Sequence, residues 1–192
     1  MKTMLSAVGA TLLVASAAVA QSHHDKRFAD AMTKHHRDGI KMAQMAVDKA
    51  ASEELRAMAQ KMIDDQQKDI DRMQAARGEG GEVTMEMMMS MPGMMPESEM
   101  ARDMARLESA SGTAFDAAFT EIMARHHEGA VTMAEHEIES GSSEPMIAIA
   151  REIVAKQTEE RKQLLAMHEA ASPEPAEAPA PPKTRRTMVT KD

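Results

Sequence analysis

The chain has 192 residues, enough for one moderate domain with tails. Its formal net charge of −8 argues against nucleic acids and anionic membrane surfaces as partners, because those polyanions attract basic proteins. The absence of cysteine excludes disulfides and thiolate chemistry, and the 22 methionines are the outlier of a composition that has almost no aromatic residues.

The first 20 residues are typical of a secretory signal peptide. Lys2 supplies a positive start, Met4 to Val14 a modest apolar run, and Ala18 to Ala20 a small-residue cleavage site. The apolar run is too short and too polar to favour a membrane span, so an uncleaved anchor is the weaker alternative. We therefore predict a periplasmic or secreted protein that begins at Gln21 and does not insert into the membrane.

One sequence pattern occurs twice, 91 positions apart. The stretch "MTKHHRDGIKMA" begins at Met32, and the stretch "MARHHEGAVTMA" begins at Met123. Residues 28–73 align with residues 119–164 without a gap, and Phe, Met, His, Ala and Gln recur at matching places. An ungapped match of this length indicates duplication of one structural unit.

Each unit is predicted to form two amphipathic helices joined by a short loop. In the first unit, apolar and small residues recur at spacings of three and four between Phe28 and Ala46, and again between Leu55 and Met73. Ser52 and Ser143 are the predicted N-caps of the second helix of each unit. No segment alternates as a strand does, so we predict an all-α antiparallel four-helix bundle built from two duplicated helix-hairpin units.

The chain divides into a signal peptide, a bundle domain and a tail. The stretch from Met85 to Pro96 is rich in methionine but broken by Pro and Gly, so it is predicted to be turn-like, and a short helix is predicted from Glu97 to Ser109. In chain order, the predicted segments are the signal peptide 1–20, the bundle domain 21–171 with units 25–77 and 112–171 around a Met-rich crossover 78–111, and a disordered Pro- and Ala-rich tail 172–192.

The repeated Met and His residues form a candidate site for a soft monovalent metal. On a helical wheel, Met32, His36 and Met42 fall within an arc of about 120°. Thioethers select Cu(I) and Ag(I), and a Met and His mixture without cysteine or a nearby carboxylate suits Zn(II) poorly. Methionine on a helical seam is more often core filler, but two equivalent His pairs with Met on both sides favour ligands. The predicted metal ligands are Met32, His35, His36, Met42, Met123, His126, His127 and Met133.

Other residues are weaker candidates. The crossover methionines could wrap a Cu(I) or Ag(I) ion with three thioethers, or could form a hydrophobic lid over the end of the bundle. Gln66 and Gln157, at repeated inner positions, could orient the imidazoles from outside the ligand set, or could be polar residues at the edge of the core. The weaker ligand candidates are His23, His24, Met62, Met85, Met88, Met91, Met94, Met95, His136 and His168.

Cleavage after Ala20 would also create a candidate Cu(II) site at the new N-terminus. The free amine of Gln21, two backbone amides and the His23 imidazole would supply the square-planar nitrogen geometry that Cu(II) prefers, and His24 could assist. Cleavage elsewhere, or cyclisation of Gln21, would remove this site.

The repeated F-x3-M-x2-HH-x5-MA pattern, followed by a helix with an internal Gln, resembles the domain of unknown function 305 family. The resemblance covers residues 25–170 and implies a ferritin-like four-helix fold. The family includes exported copper-binding proteins of the CopM type, which bind Cu(I) and Ag(I) and support copper resistance. The resemblance therefore implies a role in copper homeostasis for this chain, with the eight repeated Met and His residues as metal ligands.

These patterns predict a binding protein and not an enzyme. It would sequester Cu(I) or Ag(I), or deliver the ion to a copper exporter, an oxidase or a chaperone. A di-iron carboxylate oxidase is a less favoured alternative, because Met32 and Met123 occupy the positions where that chemistry needs glutamate before His35 and His126. The remaining alternative is a structural or chaperone-like exported bundle in which the methionines are ordinary core.

Overall fold

The computed structural model describes the backbone of residues 8–171 and the side chains of residues 23–170. The predicted tail, residues 172–192, lies outside the described residues. Among the described residues there are six helices and no strand, in agreement with the predicted all-α class, and an isolated bridge pairs Ala50 with Gly112. The helices are α1 Val8–Lys49, α2 Glu53–Arg77, α3 Met85–Met89, α4 Glu97–Ser109, α5 Gly112–Ser140 and α6 Glu144–Ala171.

Helix α1 runs without interruption through the predicted cleavage site after Ala20. Cleavage there would remove the first 13 residues of α1 and leave the part of the helix that contacts α5, which includes His24 and Asp25. No helix among the described residues combines the length and apolar character that a membrane span requires.

The four long helices pack side by side. Helix α1 contacts α2 and α5, and α6 contacts α5 and α2. Helices α2 and α6 run in opposite directions, as two salt bridges show: Arg72 pairs with Glu152 near one end of their contact, and Lys61 pairs with Glu160 near the other. Each of the four long helices therefore packs against two others. The apolar residues of each helix lie on the side that faces these two neighbours.

Two aspartates hold the two short loops in the same way. Asp116 of α5 accepts hydrogen bonds from the backbone N–H groups of residues 51–52, each at 2.9 Å. Asp25 of α1 accepts hydrogen bonds from the backbone N–H groups of residues 142–143, at 2.8 and 3.2 Å. Each aspartate and its loop are related to the other pair by the same shift of 91 positions. The 91-residue repeat in the sequence therefore extends to the contacts that hold the two short loops.

The apolar core consists of two clusters. One contains Met42, Leu55, Met62, Phe119 and Met123, and the other contains the residues Phe28, Met32, Met73, Met133 and Ile153. Both clusters draw on α1 and α5, so the segments of these two helices that carry the His pairs lie between them along the chain.

The crossover is more ordered than its composition predicts. Thr84 caps the short helix α3 by accepting a hydrogen bond from the Met87 backbone N–H at 3.3 Å. Helix α4 spans the segment predicted as helical and packs against α5 and α1. The stretch expected to be turn-like therefore begins with one helical turn that contacts α1.

Candidate metal site

The two His pairs meet at the interface between α1 and α5. All four imidazoles are buried, and His35 is the most exposed of them at 2%. The rings of His35 and His126 stack with their centroids 3.7 Å apart and their planes 29° apart. Because successive residues on a helix point about 100° apart, His36 and His127 turn toward the outer helices. The structure thus brings together the four histidines that the sequence selected.

Each outward histidine faces a carboxylate from a neighbouring helix. The Nε2 atom of His127 lies 3.0 Å from Oε2 of Glu160 on α6, and Nε2 of His36 lies 3.8 Å from Oδ2 of Asp69 on α2. Lys156 also contacts Asp69, at 3.1 Å. The sequence interpretation, which placed no carboxylate near the Met and His pattern, is wrong on this point. Both carboxylates come from other helices, yet they too are 91 positions apart.

Most ring nitrogens in this cluster lack a hydrogen-bond partner. Both nitrogens of His35, His36 and His126, and Nδ1 of His127, are buried and unpartnered. Buried polar atoms without partners cost on the order of 1–3 kcal/mol each, so folded proteins seldom leave several of them together. An ion that accepts nitrogen lone pairs would remove this cost, which makes the cluster a candidate metal site.

Burial keeps the central imidazoles in the form that binds metals. Burial and the neighbouring imidazoles hold the pKa of His35 well below its usual range, and the same causes act on the pKa of His126. Burial also lowers the pKa of His36, although the nearby Asp69 opposes this effect. A neutral imidazole has a free lone pair for a metal, whereas a protonated one has none.

Gly39 makes room beside the cluster. A Cβ atom at Gly39 would lie 2.5 Å from Oε1 of Gln66 and 2.9 Å from Cε1 of His126. The side-chain amide of Gln66 is buried without a hydrogen-bond partner, as is Oε1 of Gln157. The two glutamines are therefore inner residues, and their predicted role in orienting the imidazoles stays a prediction.

The predicted methionine ligands are all buried and fall into pairs. Met42 and Met123 belong to one apolar cluster, together with Met62, whereas Met32 and Met133 belong to the other. Each pair combines one methionine from α1 with one from α5, as antiparallel helices require. Thioethers from both helices thus lie on either side of the His segments along the chain.

The methionines of the crossover are placed unevenly. Met91 is buried, and its Sδ accepts a hydrogen bond from Nε of Arg27 at 2.9 Å. Met88 and Met94 pack partly against the same core cluster, Met95 is partly exposed, and Met85 is 51% exposed. Met88, Met91 and Met94 therefore cover the core cluster that contains Phe28, whereas Met85 faces solvent.

The crossover reaches the cluster at Gly129. A Cβ atom there would lie 2.5 Å from the backbone oxygen of Gly93 and 3.3 Å from Nε2 of His35. Gly129 therefore allows the crossover to approach α5 closely, directly beside one of the stacked imidazoles.

The remaining histidines lie away from the central cluster. His23 is exposed. The Cu(II) site predicted at the new N-terminus also involves residues 21–22, whose side chains lie outside those that the structure describes. His168 contacts Thr120 Oγ1 at 3.2 Å and the Ala117 carbonyl at 3.1 Å, on the other side of α5. His24 and His136 stack on each other with centroids 4.9 Å apart, near the C-terminal end of α5.

No group of three His, Asp or Glu side chains within residues 23–170 already surrounds a common point as metal ligands do. A metal ion at the central cluster would therefore need further ligands besides the imidazoles. The neighbouring methionines can supply them, and their soft sulfur atoms favour Cu(I) over harder ions.

Comparisons with solved structures agree with the observed helical arrangement. A Streptomyces coelicolor protein described as DUF305 is 24% identical, with a TM-score of 0.66 over 77% of this chain and 92% of that chain. CopM in its Cu(II)-bound form is 28% identical, with a TM-score of 0.59 over 76% of this chain and 96% of CopM. CopM in Cu(I)-bound and Ag-bound forms matches at 27% identity, with TM-scores of 0.59 and 0.58.

A comparison with curated protein sequences found no match. The family model described as "Domain of unknown function (DUF305)" matches the chain twice, over residues 1–77 and 75–168. The two matches correspond to the two units that the 91-residue repeat defines, and together they cover most of the sequence. The chain therefore belongs to the DUF305 family.

Proposed function

We propose that this protein binds Cu(I), or Ag(I) as its analogue, at the cluster formed by the two His pairs and the adjacent methionines. The observation that carries the proposal is the set of buried, unpartnered ring nitrogens on His35, His36 and His126. Their lowered pKa values keep these rings neutral, so they can donate lone pairs without first losing protons. The ion is cargo that the protein sequesters or hands on.

The fold in this proposal is a ferritin-like antiparallel four-helix bundle that arose by duplication of a helix hairpin. The contacts of α1 with α2 and α5, and of α6 with the same two helices, support it. The repeated Asp25 and Asp116 loop contacts support the duplication. In such a bundle the inner faces of facing helices build the metal site.

CopM supports the choice of metal. It matches this chain at 27–28% identity over 76% of the chain, and its structures contain Cu(II), Cu(I) and Ag. By our proposal this chain also acts outside the cytoplasm, after removal of residues 1–20, and contributes to copper homeostasis or resistance without catalysing a reaction. Exchange of the ion with an exporter, oxidase or chaperone would use the labile thioether ligands.

The proposed entry route lies under the crossover at Gly93. That residue contacts Gly129, which also borders Nε2 of His35, so lifting the crossover would expose an imidazole to incoming metal. Met88 and Met94 flank the route and can pass a soft ion inward by ligand exchange.

The test is an anaerobic titration of residues 21–192 against a chromogenic Cu(I) chelator. Amino-acid analysis must supply the protein concentration, because the chain has no Trp or Tyr. We expect stoichiometric withdrawal of Cu(I) by the wild-type protein and its loss in the His35→Gln, His36→Gln, His126→Gln, His127→Gln variant. The variant His168→Gln, outside the cluster, is the control and should behave as wild type. A well-folded wild-type protein that leaves the chelator complex intact would overturn the proposal.

A second set of variants asks whether the thioethers are ligands. Replacing Met32, Met42, Met123 and Met133 by leucine conserves side-chain volume, so the core should fold with a cost of roughly 1.5 kcal/mol or less per site. If sulfur binds the ion, the affinity for Cu(I) falls by at least tenfold, whereas a purely histidine site keeps it. Circular dichroism verifies the helix content of each variant.

A further inference from the structure

A second cluster of ligand-type side chains lies near the C-terminal end of α5, away from the central histidines. Nε2 of His24 is 3.1 Å from Oε2 of Glu137, and the His24 ring stacks on the ring of His136. His24 is eleven residues before His35 on α1, which places it about 16 Å away along the helix axis. The two clusters are therefore separate.

The polar atoms of this cluster are buried without adequate partners. Glu137 is 0% exposed, and its polar neighbours are His24 and the carboxylate of Asp25, but neither of its oxygens has a hydrogen bond of full geometry. Nε2 of His24 and Nδ1 of His136 are also unpartnered. Burial raises the pKa of Glu137 to about 7. A buried carboxylate is costly unless a proton or a cation neutralises it, and a metal ion would neutralise it while also engaging the two imidazoles.

The other half of the protein shows that the fold does not need this polarity. The 91-residue shift relates His24 to Phe115, His136 to Met45 and Glu137 to Ala46. Phe115 and Ala46 belong to an apolar cluster, and Met45 packs against it. Asp25 and Asp116 accept hydrogen bonds from the backbone of equivalent loop residues at the two ends, so the positions correspond in space as well as in sequence.

The turn that follows α5 also leaves room for the Glu137 carboxylate. The backbone N–H of Gly141 donates to the Glu137 carbonyl at 2.8 Å, and a Cβ atom at Gly141 would lie 2.5 Å from Oε1 of Glu137. The equivalent residue of the first unit is Ala50, whose Cβ is tolerated because Ala46 replaces the glutamate there. The end of the protein that contains Glu137 thus accommodates a buried glutamate, whereas the equivalent end has alanine at that position.

We propose that His24, His136 and Glu137 form a binding site for a divalent transition-metal ion, with Cu(II) bound most tightly. Two imidazoles and one carboxylate are a ligand set that divalent ions such as Cu(II) and Zn(II) accept, and among first-row ions Cu(II) has the highest affinity for nitrogen and oxygen ligands. In the structure these three side chains do not yet surround one point. The His136 ring, whose plane lies 23° from that of His24, would therefore have to turn about its side-chain bonds so that a nitrogen faces the ion. This site does not depend on the proposed Cu(I) cluster.

The test measures Cu(II) binding by residues 21–192 that carry His23→Ala, which removes the predicted N-terminal site. Electron paramagnetic resonance reports nitrogen ligands, and competition with a chelator of known Cu(II) affinity gives the dissociation constant. The informative variant, His24→Phe with His136→Met and Glu137→Ala, copies the apolar residues of the other end. We expect it to lose one equivalent of Cu(II) and to resist urea as well as or better than the parent, while its Cu(I) withdrawal is unchanged.

Two further variants keep the test decisive. Glu137→Gln preserves shape and should weaken Cu(II) binding by at least tenfold even if the triple variant fails to fold. His35→Gln with His126→Gln should leave the Cu(II) signal intact, because those residues belong to the other cluster. Unchanged Cu(II) binding by folded Glu137→Gln protein, or loss of the signal in the His35 and His126 variant, would overturn the proposal.

Discussion

The imidazoles of His35 and His126 stack with their centroids 3.7 Å apart, and they join the two duplicated halves at the α1–α5 interface. Two rings this close cannot both carry a proton without strong repulsion, and burial deprives either charge of water. The pKa of each is accordingly held well below the usual range. The two stacked imidazoles at the centre of the protein are therefore held neutral, and both folding and the proposed metal binding depend on their staying neutral.

The metal-free protein should lose stability in mild acid. The folded pKa values of His35 and His126 are lowered, so below the ordinary value of 6.5 the unfolded chain binds protons that the folded chain does not. The free energy of unfolding is thus fully retained above that pH and falls below it, by about 1.4 kcal/mol per pH unit for each histidine until the folded pKa is reached. Urea unfolding followed by circular dichroism between neutral pH and about pH 5 measures the slope.

The control for this slope is the His35→Gln, His126→Gln variant. Glutamine does not titrate, so the variant should show a shallower dependence in the same pH interval. Equal slopes for the variant and the wild-type protein would mean that other groups, and not the stacked pair, govern the acid sensitivity.

The carboxylates that face the outward histidines should contribute unequally to metal affinity. Groups that orient ligating histidines typically contribute 10- to 100-fold in affinity. Glu160 lies 3.0 Å from His127, whereas Asp69 lies 3.8 Å from His36 and is shared with Lys156. Glu160→Gln should therefore weaken Cu(I) binding more than Asp69→Asn, as measured by chelator competition. An equal or reversed order would show that the shorter contact does not orient its ring in the metal complex.

The repeat and the helical period suffice to predict the four histidines, because both are local features of sequence. The same is true of α2 and α4, and of the Ser52 cap, which accepts a hydrogen bond from the Leu55 N–H. The facing carboxylates were missed because the way α1 meets α2, and α5 meets α6, depends on tertiary packing. The 91-residue shift that relates Asp69 to Glu160 was nevertheless visible in the sequence and would have found them.

The cluster of His24, His136 and Glu137 escapes the same reasoning for the opposite reason. It breaks the repeat, so comparing the two units hides it, and its members come from two helices that are far apart in the sequence. The packing of α1 against α5, together with the Asp25 contact with the loop before α6, brings His24 to Glu137. A site that is present in only one of the two repeated units is therefore easier to recognise from the structure than from a comparison of the two repeats in the sequence.

Gly39 should be required for metal affinity rather than for stability. Replacing it with alanine favours the helix by about 1 kcal/mol, but the new Cβ would lie within 3 Å of Gln66 and His126. We expect Gly39→Ala to displace these side chains and weaken Cu(I) binding at least tenfold, with little net change in the free energy of unfolding. The matched variant is Ala130→Gly, at the equivalent position of the other unit, which should destabilise the helix yet keep Cu(I) affinity. Equal affinities for the two variants would contradict this account.

Gly129→Ala should lift the crossover from the bundle. The new Cβ would lie 2.5 Å from the backbone oxygen of Gly93, which cannot move aside as a side chain can. Hydrogen exchange should therefore accelerate at residues 91–94, where a backbone hydrogen bond of 3.1 Å now closes the turn, while α6 keeps its protection. Since Gly129 also borders His35, the variant should take up Cu(I) faster in stopped-flow mixing. Glu135→Ala, an exposed change on the same helix, is the control, because it raises helix propensity without touching the crossover. If both variants exchange alike, the crossover is not held at Gly129, and metal must reach the histidines by another route.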